Sequence, residues 1–196
     1  MRSGHRAPSV RVRLGDARRI QVEPGSIDLV FTSPPYLNAI DYLRCSKFSL
    51  VWMGHSVASL REIRSESIGS YAAGSCSPKL LELVERECDW ERLSARAQGV
   101  VRRYVADTQR SLMSVKRALA SGGRAVYVVG ENTVEDVFIP TGSIVRSIAK
   151  SIGLRALRGR VRELPASRRY MPPPTGRDGD MDGRMNQEVI VNLRKI

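Results

Sequence analysis

The feature that most restricts the fold is a short apolar run that ends near two adjacent prolines. Residues Ile27 to Phe31 are apolar apart from Asp28, and a run of this length between turn residues is typical of a strand buried in a parallel sheet. A ladder cannot continue through Pro34 and Pro35, because proline lacks the amide hydrogen and has a fixed φ. We therefore predict that the chain leaves the sheet here as a stiff corner.

The pattern along the rest of the chain predicts an α/β protein. The predicted strands lie at residues 10–14, 27–31, 125–129, 154–164 and 188–193. The predicted helices lie at residues 17–20, 36–53, 101–119 and 141–152, with a glycine pair to end the third. Because strands and helices alternate, we expect a mostly parallel sheet covered by helices, with an antiparallel pair formed by the last two strands.

The chain is expected to form a single domain. Its 196 residues with 42% apolar content are enough for one core, and length alone gives little support for two. We expect an insertion at residues 54–92, which contains glycine and proline, and loops at 130–140 and 165–187. The last of these exceeds the usual connection length, which favours either a functional loop or disorder.

The charge predicts a polyanionic partner. The formal charge is +12, and 27 of the 32 basic residues are arginine. The planar guanidinium suits phosphate groups and guanine edges, so DNA is the expected partner, although a high arginine content can also reflect genomic base composition. We find neither an apolar run long enough to span a membrane nor a signal peptide, which predicts a cytoplasmic, nucleoid-associated protein.

The sequence predicts no metal site. Cys45, Cys76 and Cys88 are spaced 31 and 12 residues apart, which fits neither a disulfide framework nor paired zinc ligands. The two histidines, His5 and His55, are isolated from each other along the chain. We expect these five side chains to have structural or solvent-facing roles.

The corner after the predicted strand carries groups that suit chemistry on an amine. Ligands of open α/β sheets lie beyond the carboxyl ends of the strands. There, the Ser33 hydroxyl and the Pro34 carbonyl can accept the hydrogens of one small amino group, and Tyr36 offers an aromatic face. An exocyclic amine of a nucleobase is a poor nucleophile, and such acceptors help to direct its lone pair toward a methyl donor. A base that leaves the duplex can stack on the aromatic ring.

The segment from Phe31 to Tyr36 resembles the signature of the amino-directed DNA methyltransferases. Its serine form is similar to the cytosine-N4 branch, whereas the adenine-N6 branch more often has Asp or Asn at the position of Ser33. Residues 15–18 and 119–129 also resemble members of that family. The resemblance implies a Rossmann-like class I methyltransferase fold, S-adenosylmethionine as the methyl donor and DNA as the substrate.

The resemblance also implies roles for individual residues. Ser33, Pro34, Pro35 and Tyr36 would form the catalytic segment. Asp16 matches a residue that contacts the adenine ring of the donor, although an Asp after a strand also commonly caps the next helix, and both interpretations stay open.

One part of the family pattern is not found in the sequence. Members carry an Asp/Asn-Pro-Phe-x-Gly-x-Gly loop around the methionine part of the donor, and we find no equivalent. The resemblance therefore implies that the first two strands of the fold are missing, which would leave one edge of the central sheet open. Three explanations remain: a second polypeptide supplies the donor-binding loop, the chain is a truncated remnant, or its start is wrongly assigned.

A further set of residues is predicted to contact the DNA substrate. The two arginines and the tyrosine of this set lie in the long loop and could grip phosphates near the target base; a solvated loop is the alternative interpretation. The predicted set is Thr32, Asn38, Arg168, Arg169 and Tyr170. The insertion could read the target sequence, although surface arginines are the default there.

We therefore predict a site-specific DNA methyltransferase, or a subunit or fragment of one, of the restriction-modification kind. The expected reaction moves a methyl group from S-adenosylmethionine to the N4 amine of cytosine. The alternatives are an adenine-N6 DNA methyltransferase, a non-catalytic DNA-binding remnant and, less expected, an RNA methyltransferase with a similar pocket.

Overall fold

The computed structural model describes residues 9–37, 42–68, 76–165 and 185–196. The strands of these residues are β1 (Ile27–Thr32), β2 (Leu119–Gly130), β3 (Asn132–Val134), β4 (Val137–Ile139), β5 (Leu154–Ala156), β6 (Arg160–Glu163) and β7 (Gln187–Lys195). The helices are α1 (Tyr42–Trp52), α2 (Val57–Glu66), α3 (Pro78–Glu85), α4 (Ala95–Ala118) and α5 (Thr141–Ser151). Two 3₁₀ helices lie at Ala17–Arg19 and Trp90–Arg92.

Five of the strands form one mixed sheet. Its order is β1-β2-β7-β5, and β6 also pairs with β7. The β1–β2 ladder is parallel, whereas β7 runs antiparallel to β2, β5 and β6. Four strands share one direction, but β7 runs against them and pairs with three of them, so three of the four ladders are antiparallel. The sheet is therefore mixed and not mostly parallel as predicted. The predicted strand at 154–164 is divided into β5 and β6, and both pair antiparallel with β7, as predicted for the last strands.

Helix α4 supplies the largest part of the core. Ser94 caps its first turn by accepting a hydrogen bond from the amide of Ala97, as residues at this position commonly do. The apolar face predicted from the sequence is buried in the structure, and Val101, Val105 and Leu112 are each 0% exposed. The helix ends at Ala118, and β2 begins at the next residue, before the predicted glycine terminator is reached.

Two local predictions are wrong. Residues 10–14 do not form a strand, and the side chains of Val10, Val12 and Leu14 are at least 85% exposed. An alternating pattern forms a strand only where a neighbouring strand supplies hydrogen bonds, and the described residues supply none there. The predicted loop at 130–140 instead contains the β3–β4 hairpin, whose turn residues Glu135 and Asp136 both have positive φ, as a tight hairpin turn requires.

Part of the predicted insertion packs into the core. Leu80 and Val84 of α3, with Trp90 and Leu93 after it, belong to the main apolar cluster. By contrast, α2 buries only Leu60. The segment from Pro78 onward therefore helps to hold the domain together, whether or not it also contacts a substrate.

The outer edge of β1 has no neighbouring strand among the described residues. On this strand Leu29 is 59% exposed and Phe31 is 72% exposed. Helix α1 adds further exposed apolar side chains, Phe48 and Trp52 among them. An edge strand with large apolar residues is a template for pairing with another strand.

Candidate functional site

The predicted corner lies at the carboxyl end of β1, where the sequence places it. Beyond Thr32 the backbone leaves the sheet, and Ser33 is exposed while Pro34 and Pro35 are half-buried. Leu37 is 0% exposed, so it anchors the far side of the corner in the core. The prolines and this anchor hold the Ser33 hydroxyl at the end of the sheet.

Tyr36 points inward and packs on the backbone of β2. It is 9% exposed, and its ring lies beside Gly130, where an added Cβ would come within 2.8 Å of the ring atom Cδ2. The sulfur of Met185 also crowds this position. The glycine at the end of β2 therefore makes room for the tyrosine. Stacking of Tyr36 on a base stays a prediction, since the structure gives its ring an internal contact.

A chain of hydrogen bonds runs from the corner into the sheet. The Ser33 hydroxyl donates to the Tyr36 hydroxyl at 3.2 Å, and the Tyr36 hydroxyl donates to Oε1 of Glu188 at 2.8 Å. The other carboxylate oxygen of Glu188 accepts from Nε of Arg162 at 3.0 Å and forms an ion pair with the same guanidinium. An exposed hydroxyl is thus linked through a phenol to a buried carboxylate.

Asp16 caps the first 3₁₀ helix, as the alternative interpretation predicted. Its Oδ1 accepts from the backbone amide of Arg18 at 2.8 Å, and both carboxylate oxygens accept from the Arg18 guanidinium. Hydrogen bonding to that guanidinium lowers the pKa of Asp16. Its side chain remains 43% exposed, so capping leaves part of the carboxylate open to a ligand.

Arg18 joins Asp16 to helix α4 through a buried carboxylate. Asp107 is 0% exposed and accepts from Arg18 at 3.1 Å, from Arg103 at 2.9 Å and from Arg110 at 3.4 Å. Three guanidinium groups around one carboxylate compensate the cost of burying its charge. The position of the Asp16 segment is therefore fixed against the core.

A cavity of about 740 Å³ opens beside Asp16. It is lined by Asp16, Gln21 and three arginines, Arg18, Arg19 and Arg110. Such a lining favours an anionic or hydrogen-bonding ligand over a cation.

The structure brings only some of the predicted residues together. Ser33 and Tyr36 are in contact, whereas Asp16 lies in the separate cluster around Asp107. Thr32 is the last residue of β1, opposite Tyr127 of β2. The predicted substrate contacts Asn38, Arg168, Arg169 and Tyr170 lie outside the described residues.

Sequence reasoning missed Gly130, Glu188 and Asp107. Asp107 carried a usable signal, because Arg103 and Arg110 lie four residues before it and three residues after it on the same helix. The sequence signal for Glu188 was weak, because it was only a carboxylate at the start of an apolar strand.

The described residues contain neither a candidate metal site nor a candidate membrane-spanning helix. The part of the chain that the structure describes contains no group of three or more His, Cys, Asp or Glu side chains that could hold a metal ion. Within the same residues, no helix is both long and apolar enough to cross a bilayer.

The chain is similar to known proteins only at low sequence identity. No protein-family model matches the sequence. The type II methyltransferase M.MvaI of Kocuria varians is 24% identical over 189 residues, an alignment that takes in 85% of this chain and 40% of that protein. The chain thus spans well under half the length of the relative that it matches.

Solved structures of TTHA0409 from Thermus thermophilus, which carries the provisional description of a DNA modification methylase, are also similar. One is 20% identical with a TM-score of 0.46, over 93% of this chain and 52% of that chain. Another, a complex with S-adenosyl-L-methionine, is 19% identical with a TM-score of 0.47, over 93% of this chain and 51% of that chain.

Proposed function

We propose that this chain is part of a DNA methyltransferase that moves a methyl group from S-adenosylmethionine to an exocyclic amine of a nucleobase. The observation that carries the proposal is the Ser33–Tyr36 corner, which holds an exposed hydroxyl at the carboxyl end of β1. Similarity to a type II methyltransferase supports it.

In this proposal Ser33 and Pro34 bind the target amine. The Ser33 hydroxyl directs its own hydrogen toward Tyr36, so the lone pairs of its oxygen are available to accept a hydrogen from the amine. The Pro34 carbonyl would accept the second hydrogen. Two acceptors at fixed positions hold the nitrogen with its lone pair turned toward the donor, which is catalysis by orientation.

The donor, S-adenosylmethionine, would supply an electrophilic methyl group carried on a sulfonium. Among the described residues, Asp16 offers a partly open carboxylate that could accept from the amino group of the adenine ring. The arginines around the adjacent cavity do not suit the donor's positively charged sulfonium. We therefore assign only the adenine end of the donor to Asp16.

We further propose that the rest of the donor site comes with a strand that pairs with β1. Two observations support this, the open edge of β1 and the exposed side chains of Leu29 and Phe31. A strand at that edge would pair with the backbone of β1 and would reduce the exposure of these two side chains. Either a second polypeptide or a further segment of the same protein would carry this strand and the donor-binding loop.

The preferred target is cytosine N4, with adenine N6 as the alternative. The preference rests on Ser33, since an Asp or Asn at this position is more frequent in the adenine-N6 branch. DNA binding is supported by the formal charge of +12, which favours a polyanion and predicts a steep dependence of affinity on salt.

The test is methyl transfer from isotopically labelled S-adenosylmethionine to DNA, with the chain alone and with the polypeptides encoded beside it. Nucleoside analysis by mass spectrometry then distinguishes N4-methylcytosine from N6-methyladenine. We expect transfer with a neighbouring polypeptide and its loss in Ser33→Ala. DNA binding without transfer, and without heat of binding to the donor in calorimetry, would instead indicate a non-catalytic remnant.

A further inference from the structure

We propose that Glu188 is a positioning residue for the amine at Ser33 and the final acceptor of the proton that the amine releases. This inference rests on the proposed function and deepens it. It starts from the three-membered chain of Ser33, Tyr36 and Glu188, whose two hydrogen bonds measure 3.2 and 2.8 Å.

The geometry makes Glu188 the fixed end of this chain. Glu188 is 8% exposed and lies on β7 directly opposite Gly130 of β2. Cross-strand partners face the same side of the sheet, so the Glu188 side chain lies on the face where the Tyr36 ring covers Gly130. Arg162 holds one carboxylate oxygen, which leaves Oε1 for the phenol. The Tyr36 ring is thus positioned by the space above Gly130 on β2 and by the hydrogen bond to Glu188 on β7.

An ionised carboxylate sets the direction of the hydrogen bonds. It can only accept, so Tyr36 must donate to Glu188 and its oxygen must accept from Ser33. The outward lone pairs of Ser33 are then free for the hydrogen of the amine. Without the carboxylate the chain could reverse, and Ser33 would present a hydrogen to an amine that also donates.

The same chain gives the released proton a path. The nitrogen is positively charged after it gains the methyl group, and its N–H bond breaks as the proton passes to the Ser33 oxygen. The Ser33 proton moves to the Tyr36 oxygen, and the Tyr36 proton moves to Oε1 of Glu188. The products are a neutral methylated amine and a neutral carboxylic acid. The proton returns outward to solvent through the exposed hydroxyl after the product leaves.

A purely structural role is the competing explanation, because Glu188 also pairs with Arg162 and thereby joins β6 to β7. Two variants separate the roles. Glu188→Gln keeps the size of the side chain but removes the charge, and Tyr36→Phe breaks the chain while it leaves the ion pair with Arg162 intact. Glu163→Gln, an exposed residue of β6 next to Arg162, is the matched control.

The experiment measures single-turnover methyl transfer by the full chain together with the polypeptides encoded beside it. We expect Glu188→Gln and Tyr36→Phe each to lower the rate constant by about 100-fold, the usual scale for lost proton transfer, with little change in DNA affinity. The double variant should be no slower than either single variant, and Glu163→Gln should match the wild type. The ¹³Cζ resonance of Tyr36, identified by its loss in Tyr36→Phe, should shift in Glu188→Gln.

Each failure has a separate meaning. If the wild-type complex transfers no methyl group, the proposed function fails and this inference fails with it. If the wild type is active and Glu188→Gln or Tyr36→Phe keeps its rate, only the role of Glu188 is overturned. Additive losses in the double variant, or an unshifted Tyr36 resonance, would also overturn it.

Discussion

The ring of Tyr36 occupies the space that a side chain at Gly130 would fill. An added Cβ would lie 2.8 Å from Cδ2 of the ring and closer still to the sulfur of Met185, so both side chains would have to move. The two residues are 94 positions apart, yet the corner that carries Tyr36 can close on the sheet only because β2 ends in a glycine.

Gly130→Ala is therefore expected to displace Tyr36. Overpacking of this kind costs about 1–3 kcal/mol of unfolding free energy, which urea denaturation would measure. Gly15→Ala is the control, because an added Cβ there meets nothing within 4 Å. Equal stability of the two variants would show that the contact between Tyr36 and β2 is loose.

Asp107→Ala is expected to destabilise the chain by about 3 kcal/mol, the scale for removing one partner of a buried ion network. Its carboxylate is fully buried among three arginines, which would then repel one another. Asp89→Ala should change the free energy of unfolding by less than about 0.5 kcal/mol, because Asp89 forms an exposed pair with Arg92. Chemical denaturation of both variants and of the wild type measures these differences in the free energy of unfolding.

Phe31→Lys is expected to block pairing at the open edge of β1 without unfolding the chain. Its side chain is 72% exposed, so folding loses little, while a lysine on an edge strand opposes strand addition. Phe138→Lys is the matched control on β4, where the phenylalanine is 57% exposed. Sedimentation with the polypeptides encoded beside the chain should show a complex with the wild type and its loss only for Phe31→Lys. A complex that survives this change would place the partner elsewhere.

Glu131→Gln is expected to stabilise the chain near neutral pH but not below about pH 4. Burial raises the pKa of Glu131 above the ordinary value of 4.5, so the folded state holds this proton more tightly than the unfolded state does. The wild type therefore loses stability as pH rises from the unfolded pKa through the folded one. Glutamine does not titrate and still can accept from the amide of Gly142.

Thermal unfolding of both proteins at a series of pH values measures the effect. The Tm of Glu131→Gln should exceed that of the wild type by a growing amount as pH rises from the unfolded pKa through the folded pKa of Glu131. Glu62→Gln, an exposed change on α2, supplies the baseline. A difference in Tm that stays constant with pH would contradict the prediction.

Local signals predicted most elements but not all of their ends. The apolar face of α4, the helix from Thr141 and the strand before Pro34 follow directly from spacing and from the chemistry of proline. The prediction of a strand at 10–14 was wrong. Alternation of apolar and polar residues shows which side chains suit a strand, but it does not supply the neighbouring strand that the backbone must pair with. The β3–β4 hairpin was missed, since its strands are only three residues long.

The candidate site divides in the same way. Ser33, Pro34 and Tyr36 were predicted as site residues from their types and their order within a few residues, and their roles stay predictions. For Asp16 the structure shows the predicted capping role, and its contact with the donor stays a prediction.

By itself, the sequence determined that a rigid corner with an exposed hydroxyl ends a strand, because proline restrictions and side-chain chemistry act over a few residues. Only the tertiary structure decided that the phenol of Tyr36 turns inward, over Gly130 and onto Glu188. Such a contact depends on the pairing of β2 with β7 and on the register of that pairing, which no local pattern specifies. The physical reason is that long-range partners are selected by packing and by burial of charge, and these act only once the sheet has assembled.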